Sequence, residues 1–598
     1  MDRSAYLPVS RADLEGRGWS SCDFVIVSGD AYVDHPSFAA ALLGRLLEAE
    51  GYRVGIVAQP RWQGPEAAED FLKLGEPKLA WLVSAGAMDS MVAHYTANNK
   101  PRSEDAYSPG GKRGARPDRA LVAYVAKIRE LSKGIPVVIG GIEASLRRLA
   151  HYDYWSNTVK RSILLDTKAD LLAYGMGERS ILEIARRLSA GKDLRGIRGT
   201  MWRTGKKEEI PREAIPLPAF EDVKSSSEAY GRHYVIQEAN ADPFSAKPLV
   251  ERSEARFVVQ EPPALPLEQG EFDRVMELPY TRLGHPDYDD AGGVPALQEV
   301  LFSLTSSRGC FGACAFCAIG FHQGRLIQAR SHESLEREAI ALTRHPDFKG
   351  YIHDVGGPTA NFRIPACDRQ RERGACPDRQ CLGDSPCPAL KADHKDYVSL
   401  LRRLRALPGV KKVFVRSGIR FDYVMLDPDR TFLRELCEHH VSGQLKVAPE
   451  HTSNRVLSVM RKSDHETYLA FAAEYRKANE ALGKKQFLVP YYIASHPGAT
   501  LEDALHTALE LKKDGFVPDQ VQDFYPTPGT LATCVYFTGR DPFTGAEVPV
   551  ARGAHERALQ RALLQFNKPE NRALVLEALK TLKREDLVPR LLEHGKNR

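Results

Sequence analysis

Short buried-strand patterns alternate with amphipathic helix patterns along two stretches of this 598-residue chain. In the first stretch the strand patterns cover residues 23–28, 53–58, 79–84, 136–140 and 170–174. A helix pattern that begins near Pro36 and stops before Gly51 separates the first two of them. This alternation predicts an α/β domain with a doubly wound parallel sheet, whose ligand edge lies at the carboxyl ends of the strands.

A second alternation begins near residue 298. Its six strand patterns cover residues 300–305, 351–355, 413–416, 444–448, 486–492 and 520–524. Six βα units in about 240 residues predict a partial (β/α)6 barrel that is open on one side. Residues that carry chemistry in such barrels collect at the carboxyl ends of the strands, so we expect 493–497 and 524–530 to line the barrel cavity.

The length of the chain exceeds what one ordinary core can organise, so we expect several domains. The predicted order is an α/β domain over 1–200, a connector over 201–293 where the periodicity weakens, the barrel over 294–550 and a helical C-terminal extension over 551–598. Within the first domain, residues 100–119 are polar, basic and rich in Gly and Pro, which predicts a long loop.

Charge and hydropathy restrict the class of protein only weakly. Basic residues number 83 and acidic residues 78, so the net charge of +5 neither requires nor excludes a nucleic-acid partner. The N-terminus has no apolar signal region, and no apolar run is long enough to cross a bilayer, so we expect a cytoplasmic protein with no membrane partner. Seven of the ten cysteines lie between residues 310 and 387, which in a cytosolic chain indicates metal binding or redox chemistry.

Three of these cysteines form one closely spaced group after the first barrel strand. The segment SRGCFGACAFCAIG, residues 307–320, contains Cys310, Cys314 and Cys317. Thiolates bind iron–sulfur clusters well, and a cubane with three protein thiolates keeps one iron open for a small molecule. A structural zinc site is the alternative, and His322 could supply its fourth ligand.

The C-x3-C-x2-C spacing, with Phe316 directly before the third cysteine, resembles the motif of the radical S-adenosylmethionine (SAM) superfamily. This resemblance implies that the triad binds a [4Fe–4S] cluster whose open iron chelates SAM, with Phe316 at the cofactor site. It also implies reductive cleavage of SAM to a 5′-deoxyadenosyl radical. An electron donor such as flavodoxin or ferredoxin is then an expected partner.

The same resemblance assigns SAM contacts at later strand ends. Gly356 and Gly357 follow the second strand and match the family's glycine pair, whose backbone meets the SAM amino group. Ser417 or Arg420 would contact the SAM ribose or carboxylate, and Glu450 would face a ribose hydroxyl. The residues alone leave plainer interpretations open: a glycine turn, an ion pair and a structural hydrogen-bond acceptor.

A second cysteine group follows the glycine pair. It lies in an insert over 362–392 that is rich in Pro, Gly, Arg and Asp, and it comprises Cys367, Cys376, Cys381 and Cys387. The insert lacks apolar residues for a core of its own, so metal ligation could supply its folding energy. Zinc, an auxiliary iron–sulfur cluster and free thiols are all compatible with the spacing.

The strand patterns of the first domain resemble the cobalamin-binding-like domain that precedes many radical SAM barrels. The usual cobalt-ligating pattern there is Asp-x-His-x-x-Gly, whereas this chain has Asp34-His35-Pro36. We therefore expect that cobalamin is not bound and that His35 is a surface or helix-capping residue. The domain is then predicted to act as a lid or a substrate platform, crowded by the loop over 100–119.

Taken together, the order of segments is similar to that of the YgiQ-type radical SAM proteins. The resemblance implies a radical SAM enzyme, and it leaves the substrate and the catalytic residues unknown. A methyl or methylthio transferase that acts on RNA or a peptide is the alternative enzyme. A non-catalytic metal-binding adaptor for RNA or protein is the alternative of another class, motivated by the basic residues of the long loop, Lys112, Arg113, Arg116 and Arg119.

Overall fold

The computed structural model of the protein describes residues 3–592. The strands of its first unit are β1 (Phe24–Ser28), β2 (Val54–Ala58), β3 (Ala80–Ser84), β4 (Val137–Gly140), β5 (His151–Asp153), β6 (Thr158–Lys160), β7 (Leu171–Ala173), β8 (Thr200–Thr204), β9 (Ile215–Pro216), β10 (Leu249–Ser253) and β11 (Arg256–Gln260). Nine of them form one sheet in the order β2-β1-β3-β4-β7-β8-β11-β10-β9, and β5 pairs with β6 as a separate hairpin. The neighbours from β2 to β7 are parallel, as the sequence predicts.

Helices cover both faces of this sheet. They are α1 (Arg11–Gly16), α2 (Ala39–Ala49), α3 (Ala67–Leu72), α4 (Ser90–His94), α5 (Ala120–Leu131), α6 (Gly141–Leu146), α7 (Ile163–Thr167), α8 (Glu178–Ser189), α9 (Phe220–Ser225), α10 (Ser227–Ala239) and α11 (Gln269–Met276). Along β1, Val25 and Val27 face one hydrophobic cluster, while Phe24 and Ile26 face the other. Both faces of the strand are buried, which explains its continuous apolar run and the doubly wound arrangement.

The sheet continues into the stretch for which the sequence predicts a connector. Strands β8, β11 and β10 add antiparallel neighbours beyond β7, so residues 201–260 belong to the first unit. The strand pattern was hidden because β10 buries a carboxylate: Glu251 accepts hydrogen bonds from His233 Nε2 at 2.6 Å and from the Ala150 amide at 2.8 Å. A paired charge therefore occupies a position where periodicity would require an apolar side chain.

The second unit is the predicted open partial barrel. Its strands are β12 (Ser303–Thr305), β13 (Ser307–Arg308), β14 (Gln328–Ala329), β15 (Tyr351–Ile352), β16 (Asp354–Gly356), β17 (Lys412–Val413), β18 (Gln444–Glu450), β19 (Phe487–Ala494) and β20 (Gln522–Asp523). Parallel pairs join β12 to β16, β15 to β17, and β18 to β19 and β20. A parallel bridge between Ile419 and Val447 connects the two halves, so all six predicted strand regions take part.

The helices of this unit are α12 (Ala296–Val300), α13 (Ile319–His322), α14 (His332–Thr343), α15 (Asp368–Arg373), α16 (Lys395–Arg405), α17 (Phe421–Leu426), α18 (Thr431–Glu435), α19 (Asn454–Val459), α20 (His465–Ala481), α21 (Leu501–Lys513) and α22 (Leu531–Thr538). Their starts are capped locally. Asp464 accepts a hydrogen bond from the Thr467 amide at the start of α20, and Thr500 and Asp503 form a reciprocal capping box at the start of α21.

The C-terminal region is helical, as expected, with α23 (Ala554–Leu564), α24 (Arg572–Thr581) and α25 (Val588–Leu592). These helices pack against α21 in one hydrophobic cluster that includes Leu505, Leu563 and Val575. Residues 593–598 of the predicted extension lie outside the described part of the chain. Within residues 3–592, no helix combines the length and apolar character needed to span a bilayer.

The loop over 100–119 covers the carboxyl ends of β1, β2 and β3. The Ala31 amide donates to the Tyr107 carbonyl, and the Gln59 amide group donates to Ser108 Oγ at 2.7 Å. Arg116 is buried beneath the loop, where it contacts Asp30 at 2.8 Å and Asp105 at 3.1 Å. Part of the loop, including Asp105, Ser108 and Arg116, is therefore packed internally at the sheet edge, while Lys112 and Arg113 are exposed.

Replacing Arg116 with Met should lower the free energy of unfolding by about 3–5 kcal/mol, because Asp30 and Asp105 would remain buried without their cation. Arg113 is an exposed arginine of the same loop, so Arg113→Met should change stability by about 0.5 kcal/mol or less. Urea unfolding followed by circular dichroism measures both. Equal effects of the two substitutions would contradict the internal role of Arg116.

Candidate functional site

The cysteine triad occupies a loop that a short antiparallel hairpin closes at its base. Strands β13 and β14 pair on either side of the loop, directly after β12. Gly309 has a φ of 82°, and a Cβ there would clash with the Leu326 carbonyl. The Cys310 amide donates to the Gly324 carbonyl at 3.1 Å. The loop is therefore fixed at the carboxyl end of the first barrel strand, where the sequence predicts it.

The three thiols lie close enough to influence one another electrostatically. Cys310 Sγ lies 3.4 Å from Thr359 Oγ1, and Cys314 Sγ accepts a hydrogen bond from Arg420 Nη1 at 3.3 Å. Burial, together with the neighbouring Cys314, raises the pKa of Cys317 to about 12. Burial likewise raises the pKa of Cys310. Without a bound cation, these two thiols therefore stay protonated at neutral pH.

The donor set of the triad fits an iron–sulfur cluster. It offers three soft sulfur ligands, with a guanidinium beside one of them to balance negative charge. A Cβ at Gly312 would lie 2.5 Å from Arg420 Nη1 and 3.3 Å from Cys310 Sγ, so the glycine keeps this cradle open. Across residues 3–592, no three His, Cys, Asp or Glu side chains are arranged to hold a metal ion. A cubane has four separate irons, and its thiolates need not meet at one point.

His322 does not face the thiols as a fourth ligand for zinc. Its Nδ1 lies 3.0 Å from Ser145 Oγ in the first unit, and burial lowers its pKa to about 4. The ring therefore joins the two units. His322 is therefore not in place to be the fourth ligand of a zinc site at the triad.

Gly356 and Gly357 are required by close packing at the end of β16. A Cβ at Gly356 would clash with Ser417, and one at Gly357 would lie 2.5 Å from the Ser307 carbonyl. Ser417 donates its hydroxyl to Asp354, which also accepts the Ser417 amide at 3.0 Å. The structure thus brings the predicted glycine pair and Ser417 together, with Asp354, which sequence reasoning did not select, as the group that holds Ser417.

Arg420 and Glu450 lie on the barrel side of the triad. Arg420 is buried, forms an ion pair with Asp422 and reaches Cys314. Glu450 is buried at a bulge in β18 with a φ of 70°, and its carboxylate makes no hydrogen bond within residues 3–592. Burial raises its pKa, and Lys462, which donates to the Ala448 carbonyl at 2.7 Å, opposes this shift. An unpaired buried carboxylate next to Cys317 is available to a ligand.

Phe316 packs edge-on against His496, with ring centroids 5.7 Å apart. His496 is fully buried after β19, and its Nδ1 lies 2.7 Å from the Pro497 carbonyl. Its Nε2 has no hydrogen-bond partner in the described part of the chain. The sequence pointed to 493–497 only as a strand end, because nothing in the pattern indicates which side chain turns towards Phe316.

Three of the four cysteines of the insert lie close together, and the fourth, Cys376, lies apart from them. Cys381 lies in electrostatic contact with Cys367 and Cys387, and burial raises its pKa to about 11. Arg325 faces Cys381 and donates to the Cys376 carbonyl at 2.8 Å. Cys376 lines a cavity together with Cys314 and Cys317. Each cysteine group therefore has its own arginine, Arg420 or Arg325, beside a sulfur atom.

This cavity, which we call the triad cavity, separates α10 of the first unit from the triad loop. It is partly open to solvent. Its wall includes Cys314, Cys317, Tyr234, Phe321, Arg325 and Cys376. The triad therefore borders a concave space between the two units.

The predicted surface or capping role of His35 is wrong. His35 is buried, its Nδ1 accepts the Ser37 amide at 3.1 Å, and burial holds its pKa well below the usual range. The side chain of Asp34 is fully buried and pairs with Arg45. Helix α2 starts after Phe38 without a side-chain cap. Both residues are internal packing elements, because the tight turn after β1 folds under α2.

Sequence comparisons identify the family. Residues 6–303 match the radical SAM N-terminal model, residues 304–511 match the radical SAM superfamily model, and residues 519–594 match a domain of unknown function (DUF3362). A UPF0313 protein of Clostridium botulinum (strain 657 / Type Ba4) is 52% identical over 590 residues, which are 98% of this chain and 92% of the relative. One from Clostridium perfringens (strain 13 / Type A) is 51% identical over 603 residues, covering 100% of this chain and 91% of the relative.

Two solved structures are also similar. One is the radical SAM methyltransferase TsrM from Kitasatospora setae with cobalamin and a [4Fe–4S] cluster bound, at 15% identity and a TM-score of 0.49, covering 86% of this chain and 76% of that one. The other is the cobalamin-dependent SAM radical enzyme OxsB with aqua-cobalamin bound, at 10% identity and a TM-score of 0.49, covering 96% and 77%. From its identity to curated relatives over nearly its whole length and from its matched domains, the chain belongs to the UPF0313 family and carries a radical SAM domain.

Proposed function

We propose that Cys310, Cys314 and Cys317 bind a [4Fe–4S] cluster with which this radical SAM enzyme cleaves SAM. The observation that carries the proposal is the loop itself: three free thiols at the carboxyl end of β12, with Arg420 donating to one of them. When bound and reduced by one electron, such a cluster cleaves SAM to methionine and a 5′-deoxyadenosyl radical, which abstracts a hydrogen atom from the substrate. The electron requires a donor protein such as a flavodoxin or ferredoxin.

The residues around the triad have separate roles in this proposal. Gly356 and Gly357 leave their backbone atoms accessible to the amino group of SAM. The unpaired carboxylate of Glu450 accepts a hydrogen bond from a ribose hydroxyl. Phe316, braced by His496, offers a ring face to the adenine. Arg420 is committed to Asp422 and Cys314, so we assign it to the charge balance of the cluster. Ser417 is committed to Asp354 and shapes the glycine turn.

We further propose that the insert binds a second metal, as zinc or as an auxiliary iron–sulfur cluster. The proximity of Cys367, Cys381 and Cys387 supports this, as does the guanidinium of Arg325 beside Cys381. A metal–thiolate centre carries net negative charge, which explains a cation at this position. Cys376 is the fourth candidate ligand. The second cysteine group is also the observation that favours methyl or methylthio transfer to RNA or a peptide as the second candidate function.

Cobalamin has no place in the proposal. The support is that His35 is buried and bonded internally, and that the loop over 100–119 occupies the carboxyl ends of β1 to β3. The same loop weakens the adaptor hypothesis in part, because two of its four basic residues are engaged: Arg116 pairs with Asp30 and Arg119 pairs with Asp153. Lys112 and Arg113 are exposed. A cytoplasmic location accords with the ten cysteines, which are all free thiols.

Replacing the three triad cysteines together with Ala should remove about four irons per chain and abolish the formation of 5′-deoxyadenosine from SAM. The measurements are iron content after anaerobic reconstitution and chromatography of the reaction under dithionite. Cys437→Ala is the matched control, because this cysteine is buried in the barrel core and should leave both results unchanged. Unchanged iron and product in the triple variant would refute the assignment.

Glu450→Gln should weaken SAM binding by about tenfold or more, because the ribose would lose an acceptor that carries charge. The variant should keep its iron, and its thermal stability without SAM should equal or exceed that of the wild type, since an unpaired buried carboxylate is removed. Equilibrium binding of SAM to the reconstituted protein measures the effect. Glu547→Gln, at the surface, is the control, and the role of Glu450 fails if both variants bind SAM equally.

Replacing Cys381 and Cys387 together with Ser should release the second metal while the triad keeps its iron. Because ligation holds the insert, residues 362–392 should become sensitive to protease. Metal analysis and limited proteolysis with mass spectrometry test both outcomes. The single variant Cys376→Ser then counts the ligands: retained metal indicates three and lost metal indicates four. An intact metal content in the double variant would show that these thiols are free.

A further inference from the structure

Arg148 is a buried arginine with no acidic partner. The residue is 4% exposed; its Nε donates to Gln260 Oε1 and its Nη1 to the Ser145 carbonyl, each at 2.9 Å. No carboxylate of residues 3–592 lies within ion-pair distance of it. The other buried arginines nearby, Arg147 and Arg308, each pair with an acid. The charge of Arg148 is thus left uncompensated where its neighbours' charges are balanced.

Two aromatic rings enclose the Arg148 guanidinium. Its central carbon lies 3.7 Å from the ring centroid of Phe321 and 4.8 Å from that of Tyr174. These rings attract a cation, but they carry no net charge to neutralise it. Burial accordingly lowers the pKa of Arg148 to about 10. The group remains charged at neutral pH and fixed in orientation, which is the state of an anion receptor before its ligand binds.

Arg148 stands where two cavities meet. One, which we call the edge cavity, lies at the carboxyl end of β7 and is lined by Arg148, Tyr174, Gly175 and the first turn of α8. That 12-residue helix directs the positive end of its dipole there. The other is a smaller cleft bounded by Arg148, Phe321 and Tyr234. An anion in the edge cavity would therefore meet the arginine and the helix start together.

Both cavities share wall residues with the triad cavity. The edge cavity shares Gly320, Phe321 and Arg325 with it, and the cleft shares Tyr234, Phe321 and Thr530. The acids along this path are already engaged: Glu178 pairs with Arg308, Glu238 pairs with Arg461, and Asp242 accepts backbone amides. Arg148 and Arg325 are hence the cations on the path without an acidic partner in the described part of the chain, and Arg325 is engaged with Cys381 and with the carbonyls of Cys376 and Arg379.

We propose that these adjoining cavities bind a substrate with an anionic group, a phosphate or a carboxylate, which Arg148 receives at the edge of the first sheet. The remainder of the substrate then extends along Phe321 to the wall formed by Cys314 and Cys317. This inference rests on the proposed function, because it takes the triad as the reactive centre. It gives the first unit a defined task as the platform that holds the charged end of the substrate.

The test uses the full-length reconstituted protein with inorganic phosphate and succinate as probes, at constant ionic strength. The wild type should show a saturable rise in melting temperature, and the anion with the lower half-saturating concentration identifies the class of group. Arg148→Met keeps an apolar stem between the rings and should raise that concentration at least tenfold. Without anion, this variant should melt at or above the wild-type temperature, since it no longer buries an unpaired cation.

Arg203→Met is the matched control. Arg203 lies on β8, donates only to the carbonyls of Lys168 and Ala169, and faces none of the three cavities, so its variant should keep the anion response. The inference is overturned if the wild type responds to neither anion or if Arg148→Met responds as the wild type does. A destabilised or unfolded Arg148→Met would also overturn it, since that result assigns a structural role to Arg148.

A second measurement separates this inference from the function on which it rests. Arg148 touches neither the triad thiols nor the SAM residues, so Arg148→Met should still cleave SAM without substrate at the wild-type rate. A wild type that cleaves SAM but binds no anion refutes the platform alone. A wild type that binds anions through Arg148 but never cleaves SAM refutes the proposed function and leaves the receptor in place.

Discussion

The contact between the two units at the triad loop is the constraint on which the rest of the site depends. The loop belongs to the barrel, yet Phe321 stacks on Arg148 and His322 bonds to Ser145, both in the first unit. The end of the loop that follows the thiols is therefore anchored in the first unit. Because the carboxyl edges of both sheets converge on this one loop, the cavities on either side of it share wall residues, and a ligand in one of them lies close to the other unit.

Much of this architecture follows from residue patterns. The strands β1 to β4 are buried on both faces, and their uninterrupted apolar runs indicate a parallel sheet directly. The triad can likewise be predicted from the sequence, because the spacing of Cys310, Cys314 and Cys317 is chemically specific. Glu450 and the glycine pair come from strand ends, which the alternation of elements locates. In each case the information lies within one short segment.

The features that could not be predicted depend on partners far away in the chain. Glu251 reads as an exposed residue until His233 is placed beside it, so the sheet seemed to stop at β7. Arg116 reads as part of a solvated basic loop because Asp30 and Asp105 flank it only after folding. Likewise, the spacing of the insert cysteines does not reveal that Cys376 turns towards the triad cavity. Buried polar pairs cannot be predicted from hydropathy, because each polar residue of the pair is expected at the surface until its partner is known.

The hairpin of β13 and β14 affects what happens to the site when the protein is exposed to oxygen. It ties both ends of the triad loop by backbone hydrogen bonds that need no metal. Oxidative loss of the proposed cluster would then empty the loop without opening the barrel around it. The vacated scaffold would keep its shape, and repair would require the delivery of iron and sulfide rather than the synthesis of a new chain.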